Sequence, residues 1–127
     1  MRILLVEDDP SLISLYEKKI AGANYTVDTA MDGQEGLQKA ESKKYHLIIL
    51  DLILPKIDGL EVLKRIRGNE AIKDTPVLIL TNVNASDILV EKANELGAKG
   101  YIYKFNTSLA EIERKIRLVL KEQSAEI

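Results

Sequence analysis

The residues in this chain best suited to chemistry sit where apolar runs stop. Asp51 closes Leu47-Ile48-Ile49-Leu50, and Glu7 and Asp8 close Ile3-Leu4-Leu5-Val6 with Asp9-Pro10 directly behind. Burying an ionised carboxylate beside large aliphatics is costly unless a cation or hydrogen bonds compensate, so these acids belong at strand ends that open into a crevice. Two strands ending in acids form one site if they are neighbours. Thr81-Asn82 end a later apolar run and Lys104 ends the last one. One lysine does not neutralise three crowded carboxylates. A hard divalent cation does, and Mg2+ favours few carboxylates together with waters and a phosphate. An aspartate can also accept a phosphoryl group as an aspartyl phosphate, a transfer catalysed mainly by positioning and charge neutralisation. Lys104 would supply a point charge for the phosphoryl oxygens and Thr81 a hydroxyl.

Placing these residues together requires a particular scaffold. Apolar runs of strand length, at about residues 2–6, 25–30, 46–51, 76–81 and 100–104, alternate with segments of helical period. That alternation is the signature of a parallel α/β sheet. Asp9-Pro10 gives the first helix an N-cap acid and a proline at its first position; Ile13, Tyr16 and Ile20 form its buried stripe and Gly22 its stop. Asp32 and Asp58 each precede a glutamate by three residues, a helix-start signal, and Ser108 to Glu111 is a capping box. Leu89, Ala93 and Leu96, closed by Gly97, mark the fourth helix; Leu109, Ile112, Ile116 and Val119 mark the fifth. Right-handed crossovers then give a doubly wound five-stranded sheet with five helices. Ligands bind such sheets beyond the carboxyl ends of the strands, at the switch point between the first and third. Glu7, Asp8, Asp51, Thr81 and Lys104 all fall on that edge.

Composition bounds the alternatives. The chain has 127 residues, 46% hydrophobic and 30% charged, with net charge -2; that suits a single domain over residues 1–127, and offers no basic surface for nucleic acid. The basic residues Arg114, Lys115, Arg117 and Lys121 are interleaved with Glu111, Glu113 and Glu122, as on a solvated helix face. The absence of cysteine excludes disulfides, thiolate metal sites and cysteine nucleophiles. No apolar run approaches the length of a membrane span, and no signal peptide is visible, so a cytoplasmic protein without membrane or nucleic-acid partners is expected.

Several residues have plain structural readings. Asp9 reads first as a helix cap and Asp58-Gly59 as turn and cap chemistry. His46, the only histidine, starts the third strand at the wrong end of the sheet. Tyr101 and Tyr103 alternate on one strand and read as packing residues.

The joint pattern resembles the receiver domain of the bacterial response-regulator (two-component) family over essentially the whole chain. The resemblance is carried by Leu5-Val6-Glu7-Asp8-Asp9, by Asp51-Leu52-Ile53-Leu54-Pro55-Lys56-Ile57-Asp58-Gly59, by Thr81, and by Gly100-Tyr101-Ile102-Tyr103-Lys104. It implies a flavodoxin-like strand order, 2-1-3-4-5. It implies that Asp51 is phosphorylated, that Glu7 and Asp8 form the acidic pair, and that Asp8, Asp51 and the backbone carbonyl of Ile53 hold Mg2+. Thr81 and Lys104 would bind the phosphoryl group, and Thr81 with Tyr101 would form the switch. Three positions depart from the family pattern: Asn82 where a small residue is usual, Phe105 where proline is typical, and Ile53 where some relatives are polar. A trans Lys104-Phe105 bond is expected, because a cis peptide without proline costs about 2.5–4 kcal/mol.

The expected function is a phosphorylation-controlled signalling switch. It would take a phosphoryl group from a sensor histidine kinase or phosphotransfer protein and signal to a downstream protein through a changed binding face. It would catalyse its own phosphoryl transfer and hydrolysis without being an enzyme in the usual sense. A flavin-binding electron carrier would need a Ser/Thr/Gly-rich loop where Glu7-Asp8-Asp9-Pro10 stands. A phosphatase with an aspartyl nucleophile usually has a second aspartate where Ile53 stands. A degenerate receiver acting only as an interaction module has no need of the intact acids, Thr81 and Lys104.

Overall fold

The computed structural model describes residues 1–82, 87–104 and 107–125. Strands and helices alternate throughout: β1 (Arg2–Val6), α1 (Pro10–Ala21), β2 (Thr26–Ala30), α2 (Gly33–Ser42), β3 (Leu47–Asp51), α3 (Gly59–Arg67), β4 (Val77–Thr81), α4 (Asp87–Glu95), β5 (Gly100–Tyr103) and α5 (Leu109–Ala125). The five strands form one parallel sheet in the order β2-β1-β3-β4-β5. Each strand expected from the sequence is present within a residue of its expected ends. Lys104 lies one residue past β5.

The period of two along each strand divides the core. Leu4, Val6, Ile48, Leu50, Val77 and Ile79 face Leu37, Val62, Leu63, Ile66 and Ala93 of α2, α3 and α4. Ile3, Leu5, Leu47, Ile49, Leu78, Leu80 and Ile102 face Tyr16, Ile20, Ile112, Ile116 and Val119 of α1 and α5. Every residue of β3 and β4 is buried, as central strands covered on both faces must be. In α1 the buried stripe narrows to Tyr16 and Ile20, with Ile13 only half-buried and Leu12 packing beside it.

Helix starts follow the acids. Asp9 accepts from the Ser11 N–H at 2.9 Å, Asp32 from Glu35 at 2.8 Å and Asp58 from Glu61 at 3.0 Å. Ser108 Oγ likewise accepts from the Glu111 N–H at 3.1 Å, but the Glu111 carboxylate turns to Arg114 instead of back to the cap. The left-handed residue after α1 is Asn24 (φ 69), while Gly22 stays right-handed; asparagine tolerates that conformation better than most residues with a Cβ. After α4 the expected glycine does the work. Gly97 (φ 80) closes a Schellman turn in which the Ala98 N–H bonds to the Ala93 carbonyl and the Gly97 N–H to that of Asn94.

One side chain ties this turn to the rest of the domain. Arg67, at the end of α3, donates to the carbonyls of Leu96 (2.7 Å), Thr75 (2.8 Å), Lys73 (3.0 Å) and Gly97 (3.3 Å). Burial lowers its pKa from the ordinary value, which Asp74 partly opposes.

Candidate phosphoryl-acceptor site

Sheet register brings the site together. Val6 pairs with Leu50, so Glu7 and Asp51 come level at the carboxyl edge of β1 and β3. Thr81 pairs with Tyr103 in the same way, setting Lys104 just beyond. By alternation Glu7, Asp51 and Lys104 continue the rows of Leu5, Ile49 and Ile102, toward α1 and α5.

Lys104 is the centre of the cluster. Its Nζ lies 2.7 Å from Asp51 Oδ2, donating a hydrogen bond, and 2.7 Å from Glu7 Oε1. The second contact is an ion pair to an oxygen that is itself fully buried. The remaining oxygens have backbone partners: Asp51 Oδ1 accepts from the Ile53 N–H and Glu7 Oε2 from the Asp9 N–H, each at 3.1 Å. Glu7 is 0% and Asp51 2% exposed, whereas Asp8 faces solvent. One oxygen of each of these three carboxylates lies within 4.8 Å of the others.

The electrostatics follow from that crowding. Burial pushes the Glu7 carboxyl up to about 7; Lys104 opposes the rise, and Asp51 and Asp8 add to it. Burial also disfavours the Lys104 ammonium, but Asp51 and Glu7 outweigh it and its pKa lies above the ordinary value. Three acids and one lysine leave negative charge uncompensated in a crevice. That donor set, all hard oxygen with one acid open to solvent, fits a divalent cation such as Mg2+.

The neighbouring segments fix the backbone at Asp51. The N–H of buried Gly59 donates to Leu52 O at 2.9 Å, so α3 starts directly against the chain that carries Asp51. A Cβ at Gly59 would fall 2.1 Å from Asp51 O. The same loop docks on α2: the Gly33 N–H donates to Pro55 O at 3.2 Å, and Lys56 (φ 69) lies 3.6 Å from Asp32. Ile53 is 61% exposed at the mouth of the crevice.

Thr81 is buried, and its hydroxyl donates to Asn82 O at 3.3 Å. Its carbonyl accepts from the Lys104 N–H at 2.7 Å. Tyr101 is 37% exposed and packs edge-on to Tyr103, with ring centroids 5.1 Å apart. Lys115 Nζ sits 5.8 Å from the Tyr101 ring centre and donates to its carbonyl at 3.1 Å. His46 lies at the other end of the sheet, where its Nδ1 accepts from the Arg2 N–H at 3.0 Å. Phe105 falls outside the described residues. A cleft of about 450 Å3 lined by Arg67, Lys73, Asp74 and Lys99 also lies at that opposite end, away from the converging acids. Sequence reasoning missed Tyr16, whose buried hydroxyl donates to the Lys104 carbonyl at 3.3 Å. Its helical spacing signalled only a core position. Burial and the Glu7 charge raise its pKa, keeping the hydroxyl a donor.

The comparisons agree with this geometry. The response regulator receiver domain family matches residues 3–117. The response regulator ArlR of Staphylococcus aureus is 42% identical over 123 residues, which are 96% of this chain and 53% of that protein. The chain thus spans about half the length of the curated relatives it matches. A CheY-like response regulator receiver domain protein from Methanospirillum hungatei superposes with a TM-score of 0.91 at 27% identity, covering 99% of this chain and 98% of the other. The receiver domain of the Pseudomonas aeruginosa sensor histidine kinase PA1611, solved with a magnesium ion coordinated in its active-site cleft, superposes with a TM-score of 0.84 at 28% identity, covering 94% and 97%. With the strand order, the acids at the switch point and these matches in agreement, the chain belongs to the response regulator receiver domain family.

Proposed function

We propose that the chain is a phosphorylation-controlled switch in which Asp51 accepts a phosphoryl group from a histidine-kinase or phosphotransfer partner. The observation that carries this reading is the buried bridge from Lys104 to both Asp51 and Glu7, with Asp8 alongside. An Asp51 carboxylate oxygen attacks the phosphorus of a phosphohistidine. A P–O bond forms, the P–N bond breaks, and the imidazole nitrogen keeps the electron pair and takes up a proton. The Ile53 N–H and Lys104 orient the attacking carboxylate, and Lys104 and the Thr81 hydroxyl would bind the incoming phosphoryl oxygens. Mg2+ held by Asp8, Asp51 and the Ile53 carbonyl would supply the charge neutralisation that one lysine does not. The protein would thus catalyse its own modification without turning over a separate substrate.

Phosphorylation adds charge and strong acceptor oxygens beside Thr81. The Thr81 hydroxyl would turn toward them and Tyr101 would move in response, changing the face around β5 for a downstream protein. Among the described residues no helix is long and apolar enough to cross a membrane.

Incubation with Mg2+ and acetyl phosphate should add one phosphoryl group by intact mass, and Asp51→Asn should abolish it. A wild-type chain that takes up none would favour a pure interaction module. Undiminished labelling of the Asn variant would move the acceptor elsewhere.

A further inference from the structure

The buried hydroxyl of Tyr16 lies on the same side of the sheet as Glu7, Asp51 and Lys104. A tyrosine that served only to fill this core would be replaceable by phenylalanine, because buried Tyr O–H groups persist where they have a partner. Here the partner is the main chain of the site lysine itself, 88 residues away in sequence. Among the described residues, Lys104 is otherwise anchored through its N–H, which donates to Thr81 O at 2.7 Å, and through its ammonium on Asp51 and Glu7. It stands one residue past β5, where the ladder no longer holds the chain. Its carbonyl is therefore the end that regular secondary structure leaves to a side chain.

We infer that Tyr16 is a positioning residue for phosphoryl transfer: from α1 it fixes the backbone of Lys104, and so fixes where the ammonium meets Asp51 and an incoming phosphoryl group. The inference deepens the proposed transfer to Asp51 and rests on it for its catalytic meaning. The contact itself does not depend on that reading. Small displacements of a positioned charge are expensive in rate, so a modest hydrogen bond far from the reacting atoms has a kinetic effect.

The test uses Tyr16→Phe, which keeps the ring in the core and removes only the hydroxyl. Tyr45→Phe is the control: it removes a buried hydroxyl bonded to Asp28 at 2.7 Å, at the far end of the sheet. Reductive methylation without metal reads the lysine directly. Lys104, whose side chain is 12% exposed, should be protected in the wild type and in Tyr45→Phe, and should react faster in Tyr16→Phe. With Mg2+ and acetyl phosphate, Tyr16→Phe should take up phosphate about three- to tenfold more slowly, the equivalent of one ordinary hydrogen bond. In a Lys104→Met background the same substitution should change the rate no further, because it acts through the lysine. Unchanged protection of Lys104 in Tyr16→Phe overturns the inference, as does an equal slowing with and without the lysine. A wild type that takes up no phosphoryl group overturns the transfer reading and with it the catalytic role of Tyr16, while the methylation result still shows whether Tyr16 holds Lys104.

Discussion

Gly59→Ala and Gly68→Ala add the same methyl group at opposite ends of α3, and the structure expects opposite results. At Gly59 an added Cβ would lie 2.1 Å from Asp51 O, 2.5 Å from Leu52 Cα and 2.9 Å from the Asp51 carbonyl carbon. All three are backbone atoms, so no side chain can swing aside. Reaching ordinary contact requires a shift of about 1.3 Å in either the first turn of α3 or the Asp51-Leu52 peptide. Overpacking of this kind costs about 1–3 kcal/mol, and stretching the Gly59–Leu52 hydrogen bond adds about 0.5–1.5 kcal/mol, so the loss should be about 2–4 kcal/mol. At Gly68 the backbone is right-handed (φ -88) and the nearest atom, Lys64 O, is 3.5 Å away. There alanine should be neutral or stabilise by about 0.4–1 kcal/mol, through the unfolded chain. Urea unfolding with unchanged slopes should place the Gly59→Ala midpoint at least about 1 M below the wild type, and Gly68→Ala at or above it. Because the clash is with the peptide that carries Asp51, Gly59→Ala should also lose phosphoryl uptake under conditions where it remains folded. Equal midpoints for the two variants would refute the claim that α3 must start against the backbone of Asp51.

Three further outcomes follow from the same geometry. Asp8→Ala should weaken Mg2+ binding, measured by titration, more than Asp9→Ala, which should instead cost about 0.5–2 kcal/mol of stability as a lost helix cap; the reverse pattern would shift the register of the acidic pair. Tyr45→Phe should destabilise the protein at neutral pH, and the deficit should shrink as pH falls below 3.8. The Tyr45 hydrogen bond is the main cause of a lowered Asp28 pKa, so its contribution is present above that ordinary value and lost as Asp28 protonates in the folded state; a deficit constant down to pH 2 would contradict it. Beryllofluoride should shift the NMR signals of Tyr101 and the β5 face, and Thr81→Ala should blunt the shift, whereas changes confined to the loops around Asp51 would leave Tyr101 a packing residue.

Most of the scaffold was legible because its signals are local and redundant. The buried strands β3 and β4 are uninterrupted aliphatic runs, and the Asp9, Asp32 and Asp58 caps stand where their sequence signals put them. The gathering of Glu7, Asp8, Asp51 and Lys104 followed from strand ends alone, since a parallel sheet puts every carboxyl end on one edge. What escaped was long-range and carried by single side chains. Tyr16 reads as core because its ring is core, and nothing local announces a hydroxyl reaching Lys104. The left-handed position after α1 passed to Asn24 instead of Gly22, since two residues able to end a helix stood within three positions. Glu111 satisfied the spacing of a capping box, yet Arg114 one turn on competed for its carboxylate.

Arg67 gives the domain an uneven tolerance to change. Four carbonyls from two separate connections converge on one planar guanidinium, so the connections cannot drift independently over evolutionary time. Insertions that would be harmless in either loop alone would have to preserve the reach of a third element, and lysine, with its single point charge, is no substitute for the fork. The surface between α3 and the turn at Gly97 is therefore a poor place to graft a peptide or open the chain, although it lies far from the acids and looks at first like ordinary connecting loop.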